Sequence, residues 1–142
     1  MSRIILIETS TALCSVALEQ DGKIVAARES DAPKAHAAMT APFVKQVLEE
    51  RGLTVKDCDA VCVSAGPGSY TGLRVGVSTA KGLCFATGLP LLAVGTLDIL
   101  ARQAMEEGLP GEIRHIIPMV DARRMEVYTA IYSTGGRRLT EV

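Results

Sequence analysis

The chain has 142 residues, the size of one domain or of one lobe of a larger protein, which excludes a multidomain machine. With 48% hydrophobic and 22% charged residues it carries enough apolar material for a real core. The 15 Lys and Arg against 16 Asp and Glu leave a net charge of −1, and aromatic residues are only 4%; autonomous nucleic-acid binding lacks both the positive surplus and the stacking platform it needs.

The start, Met1-Ser2-Arg3-Ile4-Ile5-Leu6-Ile7-Glu8, has four apolar residues before a carboxylate, too few for a secretory signal, so a cytoplasmic protein is expected. Arg3–Glu8 reads as a central strand covered on both faces, because its apolar run does not alternate. Leu13–Glu19 and Lys23–Arg28 are β-rich runs around Gln20-Asp21-Gly22, a hairpin signal that completes a three-stranded antiparallel meander. From Ala35 the period changes to helical, with Met39, Phe43, Val44, Val47 and Leu48 in step and Gly52 as the stop. Pro42 falls inside that helix, which therefore either starts near Thr40 as its N-cap or bends there.

Ala60–Ser64 is the next strand, and Gly66-Pro67-Gly68-Ser69 turns into a helix from about Tyr70 to Ala86, stopped by Gly88 and Pro90. Leu91–Val94 reads as a buried strand, and Thr96 as the N-cap of a third helix through about Glu107. Glu112–Val120 and Met125–Tyr132 are predicted strands joined by Asp121-Ala122-Arg123-Arg124; Gly135-Gly136 turns the chain before a last strand, Arg137–Val142. Strands followed by strand–helix units imply an α/β architecture, a mixed sheet with helices packed on it. The longest stretch without a charge, Gly82 to Leu97, is interrupted by Thr87, Gly88 and Pro90 and falls short of the roughly 20 residues a membrane span needs.

Ser64 to Gly76 holds four glycines between a strand and a helix, a loop of the kind whose backbone N–H groups attract phosphate. Its spacing fits neither the dinucleotide nor the P-loop fingerprint. Gly72, Gly76, Ala80 and Cys84 recur every four residues and line one helix face with small side chains. Glycine costs roughly 1 kcal/mol in a helix interior, so the stripe needs a packing reason, which is either the chain's own sheet or a partner's helix. Glu8-Thr9-Ser10-Thr11 is a polar turn whose acid and hydroxyls suit an ordinary loop or a nucleotide phosphate held through Mg²⁺. His36 and His115, the only histidines, have no partners at metal-ligand spacing, and no metal site is expected. Cys14, Cys58, Cys62 and Cys84 form no C-x-x-C pair and read as small core residues.

Ile5-Leu6-Ile7-Glu8-Thr9-Ser10-Thr11 with Cys14-Ser15-Val16-Ala17-Leu18, the block Gly66-Pro67-Gly68-Ser69-Tyr70-Thr71-Gly72-Leu73-Arg74-Val75-Gly76, and Asp121-Ala122-Arg123-Arg124-Met125-Glu126-Val127-Tyr128 together resemble the bacterial tRNA threonylcarbamoyladenosine proteins of the TsaB (YeaZ) family. The resemblance implies an actin-like ATPase (ASKHA, ribonuclease H-like) fold of two lobes. Residues 1–110 would then form the N-terminal lobe and 111–142 the truncated start of the second. It further implies a non-catalytic scaffold that dimerises with the transferase TsaD, has TsaE as a further partner, forms a homodimer in the absence of TsaD, and meets tRNA only through the complex. No cofactor is implied for this chain, while ATP and Mg²⁺ serve the complex.

In the catalytic relative two histidines four residues apart bind metal; here His36 is followed by Thr40, which removes that site. The interface implied by the resemblance and by helical spacing comprises Met39, Phe43, Gly72, Gly76 and Ala80, with His36, Thr79 and Leu83 around them. Glu8, Thr9, Ser10, Gly66 and Gly68 are the nucleotide-proximal positions, Glu8 standing where actin-like ATPases usually carry Asp. The alternative from another class is a nucleotide-dependent actin-like enzyme, a phosphotransferase or a glycoprotease-like protein.

Overall fold

The computed structural model describes residues 1–142. Strand β1 (Arg3–Glu8) pairs antiparallel with β2 (Cys14–Gln20), from Arg3 opposite Gln20 to Glu8 opposite Ser15, and β2 pairs antiparallel with β3 (Lys23–Ser30). Asp21 and Gly22 take positive φ in the β2–β3 turn, where the sequence placed it. Helix α1 (Ala35–Glu49) and a short 3-10 turn lead to β4 (Ala60–Ser64), parallel to β1; helix α2 (Tyr70–Thr87) leads to β5 (Leu91–Val94), parallel to β4. The sheet order is β3-β2-β1-β4-β5, so β1 is central.

One face of this sheet carries the main core. Ile5, Ile7, Val16, Leu18, Val61 and Val63 meet Phe43, Val44, Val47 and Leu48 of α1 and Ala80 of α2. The other face is less covered than the apolar run of β1 predicts: Ile4, Leu6 and Cys62 are half-buried, and Leu92 and Val94 are 42% and 36% exposed. β5 is therefore an edge strand with one open face rather than a buried one.

Helix α1 begins at Ala35, with Lys34 in left-handed backbone before it, and runs through Pro42. Thr40 is not its N-cap. It is buried, and its hydroxyl donates back to the His36 carbonyl at 2.6 Å, the local bond a mid-helix threonine can make. Proline is tolerated two residues later because it sits on the exposed side, where water can take the freed Ala38 carbonyl.

Helix α3 (Thr96–Glu107) is capped by Gly95, one residue before the expected Thr96. It belongs to a second, smaller core in which Leu97 and Ala101 meet Ile116, Ala130 and Tyr132. The two expected strands after it are four short ones: β6 (His115–Ile116) pairs with β9 (Tyr132–Ser133), and β7 (Met119–Arg123) with β8 (Glu126–Thr129). Pro118 interrupts the first run, and the hairpin turns on Arg124-Met125, both at positive φ. Arg137–Val142 forms no strand beyond one bridge between Tyr132 and Arg138. No helix is long and apolar enough to cross a membrane.

Candidate functional site

The carboxyl ends of the parallel strands β1 and β4 open on one side of the sheet, the usual position of a ligand crevice in α/β folds. Two loops meet there, the one after β1 and the one before α2. Glu8 closes β1, and one carboxylate oxygen accepts from the Ser10 N–H at 2.8 Å, from the Ser64 hydroxyl at 2.9 Å and from the Ser10 hydroxyl. Ser69 donates its N–H to the Ser10 carbonyl at 2.7 Å, while its hydroxyl accepts from the Gly72 N–H at 3.2 Å and caps α2. From the other side His36 reaches the Thr11 carbonyl with Nε2 at 2.8 Å; since that carbonyl only accepts, Nε2 carries the proton.

The small-residue stripe of α2 is explained by this junction. A Cβ at Gly68 would stand 2.8 Å from the Ser10 Cβ, one at Gly72 would overlap the Thr9 carbonyl oxygen, and one at Gly76 would overlap the Thr9 hydroxyl. Thr9 is fully buried under α2, and its hydroxyl has no hydrogen-bond partner. The glycines let α2 lie directly on the β1–β2 loop, so the packing reason is internal. Gly72, Gly76, Ala80 and Phe43 are all buried within the chain and cannot present a surface to a partner. Of the expected interface residues, His36, Met39, Thr79 and Leu83 are half-buried at its edges.

Around this junction lies a cleft of about 720 Å³, lined on one wall by Ser10, Thr11, Gly68, Ser69 and Thr71 and on the other by Met119, Asp121, Arg123 and Tyr128 of the β7–β8 hairpin. Ser10 and Gly68 thus border an open space. Thr9 does not, which corrects its place among the ligand-proximal residues. Gly66 gives its carbonyl to the Thr96 N–H at 2.8 Å, fastening α3 to the same loop. Of the residues expected near a nucleotide, Ser10 and Gly68 border the cleft, while Glu8, Thr9 and Gly66 do not line it; Ser10 bonds Glu8 through its N–H and its hydroxyl.

The outward side of α2 carries what the sequence reading passed over. Tyr70 and Phe85 are 75% and 95% exposed, and Arg74, Ser78 and Lys81 lie between them in space and sequence. Their signal was the same near-fourfold spacing as the glycine stripe, half a turn out of phase.

Residues 25–142 match the family described as "TsaD: tRNA N6-adenosine threonylcarbamoyltransferase". The chain belongs to the TsaD family. Within that family it is similar to proteins named "tRNA threonylcarbamoyladenosine biosynthesis protein TsaB". The one from Escherichia coli is 38% identical over 130 residues, which is 92% of this chain and 54% of that protein. The one from Bacillus subtilis is 34% identical over 140 residues, 98% of this chain and 58% of that protein. The chain spans little more than half the length of these curated relatives. The solved structure of YeaZ from Pseudomonas aeruginosa superposes with a TM-score of 0.84 at 34% identity, over 100% of this chain and 65% of its own. The fold, a mixed sheet with helices packed on it, is of the actin-like, ribonuclease H-like type. The same fold recurs at 15% identity and a TM-score of 0.50 in a Clostridium difficile dehydratase activator, over 98% of this chain and 43% of that one.

Proposed function

We propose that this chain is the first lobe of a TsaB-type subunit in tRNA N6-threonylcarbamoyladenosine synthesis, a non-catalytic scaffold that docks a TsaD-type transferase through its α1–α2 side. The observation that carries this is the division of α2 into two faces. The inner face is consumed by the β1–β2 loop, and the outer face leaves Tyr70 and Phe85 in water beside Arg74, Ser78 and Lys81. Two aromatic side chains left in water on one helix face are apolar area that a docked partner would cover. The membership of this chain in the TsaD family supports a partner of its own fold, with His36, Met39, Thr79 and Leu83 at the margin of the contact.

The non-catalytic role is supported by the loop after β1, where three donors from the chain itself converge on one oxygen of the Glu8 carboxylate. ATP and Mg²⁺ then serve the complex, TsaE is a further partner, tRNA is met through the assembly, and the free chain pairs with its own copy. The test is size-exclusion chromatography with light scattering on the chain alone and mixed with Escherichia coli TsaD, repeated with Phe85→Glu. A heterodimer that the variant fails to form supports the scaffold. No complex, together with ATP hydrolysis by the isolated chain, overturns it in favour of a nucleotide-dependent enzyme.

A further inference from the structure

Helices α1 and α2 lie on the same side of the five-stranded sheet, against Ile5, Ile7, Val16, Leu18, Val61 and Val63. On the opposite side the registers align Ala27, Ala17, Leu6, Cys62 and Leu92 in one row across β3, β2, β1, β4 and β5. Every member of the row is apolar, and none belongs to either core. Ala27 and Leu92 are exposed, while Ala17, Leu6 and Cys62 are half-buried. Ile4, two residues from Leu6, and Val94, two residues from Leu92, extend the same face. Parallel strands are ordinarily covered on both faces, and β1, β4 and β5 are parallel. Helix α3 follows β5 but supplies no cover, since its Leu97 and Ala101 pack against Ile116, Ala130 and Tyr132.

From this uncovered row we infer that the back of the sheet is a docking face for one amphipathic helix, supplied by the part of a TsaB-type chain that lies outside these 142 residues. The inference rests on the first-lobe reading proposed above. Its support is length: the chain spans little more than half of the Escherichia coli and Bacillus subtilis relatives, so a second stretch of comparable size is available to cover what this one leaves open. The dimensions suit a single helix. Leu6, Cys62 and Leu92 sit on neighbouring strands about 4.8 Å apart and so span about 10 Å, the diameter of a helix. These strands run four to six residues, about 13–20 Å, which a helix of about 9–13 residues matches. An apolar strip of about 10 by 20 Å is about a quarter of the area that each partner buries in a stable complex, so a second copy held by this face alone is the poorer occupant. A segment of the same chain escapes that demand, because its tether keeps it at high effective concentration.

The test joins residues 1–142 to the remaining part of the Escherichia coli TsaB chain and compares Leu92→Cys and Leu92→Glu in the joined chain and in the 142-residue chain. Iodoacetamide labelling of the Leu92→Cys thiol, followed by mass spectrometry, should be slower by about 100-fold or more in the joined chain. Leu92→Glu should leave the melting temperature of the 142-residue chain within about 2 °C and lower that of the joined chain by about 10 °C, since only there is the charge buried. Equal labelling in both, with a cooperative melt and TsaD binding by the joined chain, overturns the cover and leaves the first-lobe reading standing. Protection that appears in the 142-residue chain alone and grows with its concentration assigns the face to a second copy, and the inference falls. A joined chain that neither melts cooperatively nor binds Escherichia coli TsaD refutes the first-lobe reading and takes this inference with it.

Discussion

Gly76→Ala tests the tightest of the glycine contacts. In an isolated helix the change stabilises by roughly 1 kcal/mol, since glycine gives up the most backbone freedom on folding. Here the new Cβ would stand 3.2 Å from the Thr9 Cβ and 3.3 Å from its Cγ2, and closer still to its hydroxyl. Thr9 cannot step aside. It is β-branched and fully buried, and its loop is fastened by Ser69 N–H to Ser10 O at 2.7 Å and by His36 to Thr11 O at 2.8 Å. Overpacking of this sort costs about 1–3 kcal/mol, and the oxygen overlap puts it at the upper end, for a net loss of about 1–2 kcal/mol. Gly82→Ala, on the same helix with nothing within 4 Å of its Cβ, should gain about 1 kcal/mol. The two alanines then differ by about 2–3 kcal/mol, or about 6–12 °C in Tm for a domain of this length. Thermal unfolding followed at 222 nm reads the difference directly. Combining Gly76→Ala with Thr9→Ala should recover part of the loss, because the second change removes the hydroxyl and methyl that the first collides with. At Gly72 no such recovery is expected, since the obstacle is the Thr9 carbonyl. A Gly76→Ala protein that melts at or above Gly82→Ala would refute the tight junction.

Burial, and then the hydrogen bond to Asp98, pushes the Tyr132 hydroxyl up to about 12. Above about pH 10 the unfolded chain releases this proton and the folded one keeps it, so stability is full below that pH and falls by about 1.4 kcal/mol per pH unit until about pH 12. Urea midpoints at pH 9 and 11 should show this loss in the wild type and less of it in Tyr132→Phe; equal losses would remove Tyr132 as the cause. Burial also raises the thiols of Cys58, Cys62 and Cys84, and Cys14 is fully enclosed. Iodoacetamide at neutral pH should therefore label the native chain slowly and all four sites quickly in urea, and fast native labelling of Cys14 or Cys58 would contradict their burial. Ser69→Ala should cost about 1 kcal/mol by leaving the Gly72 N–H without its cap, while Ser69→Asp should not; parallel melts of the two variants decide it.

Local signals gave the meander, the helices and the glycine loop, because the Asp21-Gly22 turn, the apolar period of α1 and the Gly88 stop each act over a few residues. The destination of the glycine stripe was hidden because its neighbour, Thr9, lies more than sixty residues away in the chain. Periodicity says that Gly72, Gly76 and Ala80 share a face and is silent on what covers it. Phe43 went astray for a related reason: an apolar residue in helical step marks a buried face, and here the cover is the chain's own sheet. The tip of the β7–β8 hairpin was misplaced because Arg124 and Met125 occupy left-handed backbone without the Gly or Asn that normally announces it. The openness of β5 follows from its position at the sheet edge, which its four apolar residues do not encode.

The division into two cores bears on how the cleft moves. Its first wall is carried by elements that build a cluster of 15 buried residues, and its second hangs from one of five. Opening free energies scale with such local burial, so amide exchange should be slower in β1, β2 and β4 than in the β7–β8 hairpin. The cleft then has one rigid jaw and one compliant jaw. A ligand or partner that grips both would register first as slowed exchange in residues 119–129, with the sheet left almost unchanged.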